Sequence, residues 1–401
     1  MKTIVPPRVV SSLDEVVGLG AESLIVTARK RKLLRGVAVG IVRDGESLLR
    51  FYGEGVGQDS VFELGSVTKT YTAELLAKLV ERGVVRLEDP VAQYLPGGIE
   101  DHGGSHPVTL LDLATHYSGE PRLPPGISGV SRNPYGRYSN TNLERYLQRR
   151  PLQLRVRTKF GYSNLGYSIL GYALAKAAGI SYVELLQRDI LGPLGMKQTA
   201  LALGQAQPKL LKGYTQTGFP TKPWTFEACA PCGALCSTAG DQLKYLTWLL
   251  GDLDRMSLQP RAPASGGEVG LGWMVREGGN SCWHNGATFG FSSYMSLDRK
   301  LRTGIVVLSQ LHSPMLLSTL VRKFERCLAG ESVEPLKGGY GRTKAWVLDP
   351  VLLVAAPLSP VAGALATMPP LVRYPVACGV GYGAVRLVEF LSGHVEHFFN
   401  R

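Results

Sequence analysis

Residues 62–70 read Phe-Glu-Leu-Gly-Ser-Val-Thr-Lys-Thr. Ser66 and Lys69 are three positions apart, a spacing that places two side chains on one face of a helix. Apolar residues recur at helical spacing after Ser66 and the pattern ends at Gly83, which predicts a helix over this stretch. A serine hydroxyl needs a neighbouring base to attack a carbonyl group at neutral pH, and a lysine amine can be that base. The stretch therefore predicts a nucleophile beside its proton acceptor.

Two further short motifs follow in the chain. They are Tyr-Ser-Asn at 162–164 and Trp-His-Asn-Gly-Ala at 283–287. Each motif alone has an ordinary structural explanation: a helix cap and a solvated lysine, a core tyrosine, or a strand histidine. The triplet Tyr-Ser-Asn even occurs a second time, at 138–140. Three motifs in this order rarely arise together by chance, so we interpret them as parts of one site.

With these motifs the chain resembles the serine β-lactamase and penicillin-binding-protein superfamily. The relevant branch holds class C β-lactamases, D-alanyl-D-alanine carboxypeptidases, family VIII esterases and related acyltransferases. The resemblance covers roughly residues 35–330 and is carried by the stretches 62–72, 108–124, 162–196 and 283–308. It implies an α/β (α+β) fold in which helices flank an antiparallel sheet that carries an inserted, mainly helical domain. The family-like sequence after Tyr162 is also the reason to prefer that tyrosine over Tyr138.

The resemblance also implies a role for each residue of the first two motifs. Ser66 would be the acylated nucleophile and Lys69 its proton acceptor. Tyr162 would pass a proton to the leaving group and later activate the deacylating nucleophile. Asn164 would hydrogen-bond both Lys69 and the acyl side of the substrate.

The third motif would form the opposite wall of the site. His284, Asn285 and Gly286 would contact the substrate, with Gly286 leaving room for it against a strand. The backbone N–H groups of Ser66 and Ala287 would form the oxyanion hole. His284 stands where many relatives carry lysine, and an imidazole is largely neutral at pH 7. Recognition of a carboxylate there would be weaker, so we do not expect efficient β-lactamase activity.

A basic stretch precedes the tyrosine motif. Residues 154–160 read Leu-Arg-Val-Arg-Thr-Lys-Phe, where many relatives have a Pro-Gly turn. A short charge run is most often a solvated loop, and that is our first interpretation. The alternative is that it attracts an anionic group of the substrate.

Composition agrees with a soluble globular enzyme, and the chemistry that the resemblance implies requires no metal or organic cofactor. The chain has 401 residues, 44% of them hydrophobic, and a net charge of +12. The densest basic cluster, 29–35, has no interleaved aromatic residues, so we expect no nucleic-acid partner. The seven histidines show no metal-ligand spacing. Cys229, Cys232 and Cys236 have suggestive spacing but no fourth ligand nearby, so we predict no metal site.

Periodicity and turn signals predict the remaining elements. A capping box at Ser12 and Glu15 predicts a helix to about Lys32, and Asp44-Gly45 predicts a hairpin between 36–43 and 47–52. Further strands are predicted at 272–275, 281–284, 292–297 and 304–308, and further helices at 238–250 and 314–328. We predict a sheet domain from 1–66 and 226–330, a mainly helical domain at 67–225 and a C-terminal extension at 331–401.

The two ends of the chain bear on location. No apolar core of a secretory signal occurs before Ser11, so we expect a cytoplasmic protein. Residues 350–372 are 23 residues without a charge, long enough for a membrane span, but the prolines at 357, 360, 369 and 370 interrupt them. We therefore favour a packed or partner-binding extension over membrane contact by this tail.

Together these observations predict a cytoplasmic serine hydrolase or acyltransferase. It would form an acyl-enzyme on Ser66 from a small ester or amide, and water or an amine or alcohol acceptor would resolve it. The enzymatic alternatives are a D-aminopeptidase, a D-Ala carboxypeptidase or a weak β-lactamase. The alternative of another class is a non-catalytic scaffold or a membrane-associated binding protein that uses the C-terminal tail.

Overall fold

The computed structural model of this chain describes most of residues 22–331. The described ranges are 22–30, 34–96, 107–127, 133–149, 158–203, 207–276 and 278–331. Three expectations lie outside them: the beginning of the helix predicted from Ser12, most of the basic stretch 154–160, and the extension beyond residue 331.

The described strands form two antiparallel sheets. In chain order they are β1 (Val37–Arg43), β2 (Glu46–Tyr52), β3 (Phe62–Glu63), β4 (Ala200–Leu201), β5 (Leu235–Ser237), β6 (Ala262–Ala264), β7 (Gly267–Val269), β8 (Met274–Arg276), β9 (Ser281–Ala287), β10 (Ser292–Asp298) and β11 (Thr303–Ser309). The large sheet has the order β2-β1-β11-β10-β9-β8-β7-β6, and the small one the order β3-β5-β4.

The described α-helices surround these sheets. In chain order they are α1 (Glu22–Lys30), α2 (Thr68–Glu81), α3 (Leu110–Ala114), α4 (Asn140–Arg149), α5 (Asn164–Ala178), α6 (Tyr182–Leu186), α7 (Ala230–Gly233), α8 (Ala239–Leu250) and α9 (Pro314–Leu328). Short 3-10 turns occur at Gly65–Val67, Val91–Tyr94 and Met256–Leu258, and a π turn at Gln187–Leu191.

Local sequence explains the centre of the large sheet. β1 and β2 pair as the predicted hairpin, with Val42 opposite Ser47. Asp44 and Gly45 both have positive φ angles, 49° and 87°, as a two-residue turn of the favoured twist requires. β9, β10 and β11 also confirm predicted strands and run a few residues longer than predicted. β8 is shifted two residues toward the C-terminus from its predicted start.

Two helices cover the large sheet as predicted. α8 packs on β1 and β11, and α9 packs on β10 and β9. The Thr238 side chain caps α8 by accepting a hydrogen bond from Asp241 N. Gly40 of β1 lies under Leu243 of α8, where an added Cβ atom would come within 2.9 Å of Leu243 Cγ. The predicted antiparallel sheet flanked by helices is therefore confirmed.

The remaining helices pack together beside the sheet. α2 contacts α5, α6 and α7, and nearly all of its side chains are buried. α5 begins after Ser163, whose hydroxyl caps it, and ends at Gly179 in the left-handed conformation. Among the described helices, no single one meets the length and hydropathy needed to cross a membrane, although α5 together with 182–191 does so as a bent pair. The domain boundaries at 66, 225 and 330 remain predictions.

Candidate active site

The predicted nucleophile lies at the start of a buried helix. Ser66 is part of the 3-10 turn Gly65–Val67, which continues directly into α2. The Thr68 hydroxyl fixes this turn: it donates to Gly65 O at 2.7 Å and accepts from Leu235 N at 3.0 Å. Ser66 itself remains partly exposed. The structure thus presents its hydroxyl from the end of a rigid element.

Lys69 is completely buried, and its amine is held by three oxygen atoms. Its Nζ donates to Ser66 Oγ at 3.1 Å, to Asn164 Oδ1 at 2.8 Å and to Cys232 O at 2.7 Å. An ammonium group has three protons, so these contacts satisfy all of them. The serine–lysine contact predicted from the spacing is present.

Tyr162 lies beside this lysine. Its ring centroid is 4.9 Å from Lys69 Nζ. The guanidinium carbon of Arg122 is 5.2 Å from the same centroid. The competing tyrosine, Tyr138, is buried in the hydrophobic core just before α4. The structure therefore places Tyr162 with Ser66 and Lys69.

Asn164 connects the lysine to a tyrosine that the sequence did not single out. Its Oδ1 accepts from Lys69, and its Nδ2 donates to the Tyr135 hydroxyl at 2.7 Å. Tyr135 stacks on Phe226, with centroids 5.1 Å apart, and contacts Trp224 edge-on at 5.4 Å. Asn164 is thus oriented by a residue in an aromatic cluster next to the site.

His284 of β9 forms the opposite wall as a neutral imidazole. Its ring centroid is 6.2 Å from that of Tyr162, and only 2% of its surface is exposed. Burial, reinforced by the positive charge of Lys69, lowers the pKa of His284 to about 3. Its Nδ1 lies 2.6 Å from Asn285 O, so Nδ1 carries the proton, and its buried Nε2 has no partner in the described part of the chain.

The structure separates Asn285 from the other predicted wall residues. Successive side chains of a strand point to opposite faces, so Asn285 points away from His284. Its Nδ2 donates to Ser318 Oγ of α9 at 3.3 Å. The side chain therefore packs behind the wall, and the prediction that it contacts the substrate does not fit this placement.

Gly286 lies where β9 meets the backbone of the nucleophile. A Cβ atom there would collide with Leu64 O and would lie 2.5 Å from Ser293 Oγ and 3.0 Å from Ser66 N. From the other side, a Cβ on Gly65 would lie 2.8 Å from Ala287 N. The glycine makes room for the nucleophile's own backbone, and its contact with substrate remains a prediction. This close approach brings the N–H groups of Ser66 and Ala287 to one place, where their role as oxyanion donors remains a prediction.

His116 is a site residue that the sequence reasoning missed. Its ring centroid is 4.4 Å from that of Tyr162, and 1% of its surface is exposed. Burial, with smaller effects from Lys69, His284 and Arg122, holds the pKa of His116 well below its usual value. The available signal was its place in the family-like stretch 108–124.

Comparisons with known proteins agree with this geometry. A sequence model of the β-lactamase family matches residues 21–323. The D-alanyl-D-alanine-carboxypeptidase/endopeptidase AmpH of Escherichia coli (strain K12) is 30% identical in an alignment 306 residues long that covers 68% of this chain and 78% of that protein. A β-lactamase of Pseudomonas fluorescens is 27% identical over 236 residues, covering 56% of this chain and 62% of that one.

Solved structures show the same fold. The β-lactamase/D-alanine carboxypeptidase from Yersinia pestis, complexed with citrate, superposes with a TM-score of 0.66 at 24% identity, covering 79% of this chain and 98% of that one. A class C β-lactamase from Rhodobacter sphaeroides gives 0.64 at 23% identity, covering 77% and 97%. The predicted superfamily and fold are confirmed: this chain belongs to the β-lactamase family of serine hydrolases.

Proposed function

We propose that this protein forms an acyl-enzyme on Ser66 from an ester or amide substrate and then transfers the acyl group to water or to an amine or alcohol. The observation that carries the proposal is the contact of Lys69 Nζ with Ser66 Oγ at 3.1 Å, with Tyr162 alongside. Nucleophile and base within hydrogen-bond reach are the signature of covalent catalysis.

The hydrogen bonds of Lys69 fit the role of a base. To act as a base, Lys69 must be in its neutral form, which has two protons and one lone pair instead of the three protons of the ammonium group. If the protons go to Asn164 Oδ1 and Cys232 O, the lone pair is directed to the third partner, Ser66 Oγ. The two fixed oxygens thereby orient the lone pair toward the hydroxyl whose proton it must take.

The reaction then has two balanced halves. Ser66 Oγ attacks the carbonyl carbon as its proton passes to Lys69, and the oxyanion develops next to the N–H groups of Ser66 and Ala287. The intermediate collapses to the acyl-enzyme, and the leaving alcohol or amine takes a proton through Tyr162. In the second half, water or an acceptor attacks the acyl carbon as its proton passes through Tyr162 to Lys69, and Lys69 returns that proton to Ser66 Oγ as the acyl bond to serine breaks.

The neutral wall at His284 bears on the substrate class. A carboxylate placed there would meet an uncharged imidazole, because the pKa of His284 is about 3. This supports an ester or amide whose acyl or leaving group lacks a carboxylate at that position, as an esterase or biosynthetic transacylase would use. It disfavours efficient turnover of β-lactams.

A second candidate is a D-Ala carboxypeptidase or D-aminopeptidase. It is supported by the Escherichia coli relative, whose name includes carboxypeptidase and endopeptidase, and by the exposed guanidinium of Arg122 next to Tyr162. In that case Arg122, rather than His284, would bind the substrate carboxylate.

The test is intact-protein mass after brief exposure to p-nitrophenyl acetate, with nitrophenol release followed in parallel. We expect an acetyl adduct and a burst for the wild type, neither for Ser66→Ala, and both for the exposed-serine control Ser265→Ala. Added amines or alcohols that consume the adduct faster than water does would indicate acyl transfer. D-alanine release from an acyl-D-Ala-D-Ala peptide would favour the second candidate, and no adduct with any of these would favour a non-catalytic scaffold.

A further inference from the structure

His116 is bonded to the chain on both sides of Tyr162. The N–H of Gly161 donates to His116 O at 2.8 Å, and the N–H of Ser163 donates to His116 Nδ1 at 3.1 Å. These two amides flank Tyr162 directly. One residue therefore fixes the backbone before and after the tyrosine.

The same residue also supports the tyrosine ring. The rings of His116 and Tyr162 are 4.4 Å apart between centroids and tilted by 34°. His116 is held in turn by Tyr167, at 5.0 Å, and by an edge-on contact with Phe160 at 5.7 Å. The Tyr162 ring thus lies against a buried, packed surface on one side and near the amine of Lys69 on another.

The backbone of His116 is in an uncommon conformation. Its φ angle is +62°, in the left-handed region, which residues other than glycine adopt infrequently. It follows the C-terminal turn of α3, and this conformation lets its carbonyl oxygen and its imidazole both reach the tyrosine loop. Strained residues that persist in a packed structure are often tied to a functional site.

The hydrogen bond from Ser163 also fixes the chemistry of the imidazole. Because Nδ1 accepts this bond, the ring proton must be on Nε2 and the ring must be neutral. The charged and titratable groups around it, Lys69, His284, Arg122 and Tyr162, add no favourable partner for an imidazolium. His116 is consequently a neutral acceptor rather than a proton carrier.

We infer that His116 is a positioning residue for Tyr162, which holds the phenol beside Lys69 through the Gly161 and Ser163 amides and the stacked ring. The inferred role of His116 rests on the proposed function only for its effect on rate, because the positioning of Tyr162 is a property of the folded chain. Without this support the loop around Tyr162 would sample other positions, and proton transfer through the phenol would slow with little change in substrate binding.

Two variants that tolerate a positive φ angle test the inference. His116→Asn retains an acceptor, because its Oδ1 can lie where the imidazole Nδ1 lies, whereas His116→Gly has no side-chain acceptor. The first measurement is amide hydrogen exchange, which needs no substrate. We expect the Ser163 amide to exchange at least about tenfold faster in His116→Gly than in His116→Asn, while Gly161, bonded to the backbone oxygen, stays protected in both.

The second measurement is a double-mutant cycle with Tyr162→Phe. We expect kcat on an alkyl ester, whose leaving group needs a proton, to be at least about tenfold lower in His116→Gly than in His116→Asn, with KM changed less than threefold. In the Tyr162→Phe background this difference should vanish, because His116 acts through the phenol. If the role of His116 were purely structural, His116→Gly would lower kcat by the same factor with Tyr162 and with Phe at position 162.

The outcomes are distinguishable. Equal Ser163 protection in the two variants, or equal losses of kcat with and without Tyr162, overturns the inference. If the wild type forms no acyl-enzyme, the proposed function fails, and the exchange measurement alone decides whether His116 holds the loop. If His116→Gly does not fold, His116→Asn must still protect Ser163, and its effect on kcat must still disappear with Tyr162→Phe.

Discussion

Acid should destabilise this protein through His284. The folded state lowers the pKa of this histidine from 6.5 to about 3 by burial and by the charge of Lys69. Between these values the unfolded chain binds a proton that the folded chain does not. The stability that depends on neutral His284 is therefore complete above pH 6.5 and is lost as the pH falls toward 3.

The size of the effect follows from the two pKa values. A tenfold change in proton affinity is worth about 1.36 kcal/mol. At pH 4.5 the unfolded chain is almost fully protonated at this site and the folded one is not, so His284 alone should lower the free energy of unfolding by about 2.5 kcal/mol between pH 7 and pH 4.5.

His284→Asn isolates this contribution. An asparagine amide does not titrate, and its Nδ2 can donate to Asn285 O as the imidazole Nδ1 does. Other buried groups also contribute to the pH dependence of stability. Burial raises the pKa values of Glu63 and Glu74 to about 7 and lowers the pKa of His116, but these groups are present in both proteins. The quantity to compare is therefore the difference in the free energy of unfolding between His284→Asn and the wild type, measured at each of the two pH values. The pH dependence of the wild type alone does not isolate His284.

The assay is urea unfolding at 25 °C, followed by tryptophan fluorescence, at pH 7.0 and pH 4.5. We expect the stability of His284→Asn relative to the wild type to improve by about 2.5 kcal/mol on going to pH 4.5. An improvement below about 1 kcal/mol, or a His284 resonance that titrates near pH 6.5, would refute the reasoning. It would also remove the argument that the wall facing Tyr162 is uncharged.

Three more outcomes follow from the site. Gly286→Ala should abolish acyl-enzyme formation and destabilise the fold, because its Cβ would collide with Leu64 O. The matched control is Gly240→Ala, where the atom nearest to the added Cβ is 3.9 Å away. This control should leave the unfolding midpoint and the activity nearly unchanged. Lys69→Met should slow acylation by at least about a thousandfold in single-turnover kinetics, because it removes the base. Burial raises the pKa of Glu63 from 4.5 to about 7, so this group should lower the free energy of unfolding of the wild type by about 3 kcal/mol as the pH rises from 4.5 to 8. In urea unfolding, Glu63→Gln should lack this contribution to the pH dependence.

The sequence predicts those parts of the site that depend on local spacing. The contact between Ser66 and Lys69 is a property of one helical turn, and the hairpin at Asp44-Gly45 is a property of two turn residues. The separation of Asn285 from His284 was also accessible, since alternation along a strand requires it.

Other parts of the site depend on contacts between distant segments. The third oxygen that holds Lys69 is the backbone carbonyl of Cys232, which is 163 positions away, and any residue type could supply it. Tyr135 reaches Asn164 across 29 positions from a segment with no motif. The role of His116 depends on its uncommon φ angle and on its two hydrogen bonds around Tyr162, and neither has a signature in a single sequence.

The site is assembled from two separately anchored halves. On the sheet side, Ser293 Oγ donates to Leu64 O at 2.6 Å, and Gly286 allows β9 to approach the backbone of Ser66. On the helical side, His116 holds the loop of Tyr162, and Asn164 begins α5. Lys69 contacts both halves, through Ser66 and Asn164.

This division implies that the two halves serve different steps of the reaction. The sheet-side anchor fixes the nucleophile relative to the N–H of Ala287, so a change at Gly286 should slow acylation whatever the leaving group. The anchor at His116 fixes only the phenol, so its loss should matter most for leaving groups that need a proton, such as alkoxides and amines, and least for nitrophenolate. The rate on an alkyl ester divided by the rate on a nitrophenyl ester should therefore fall in His116→Gly. In a partly active sheet-side variant such as Ser293→Ala this ratio should stay constant. A constant ratio in both variants would show that the two anchors act as one.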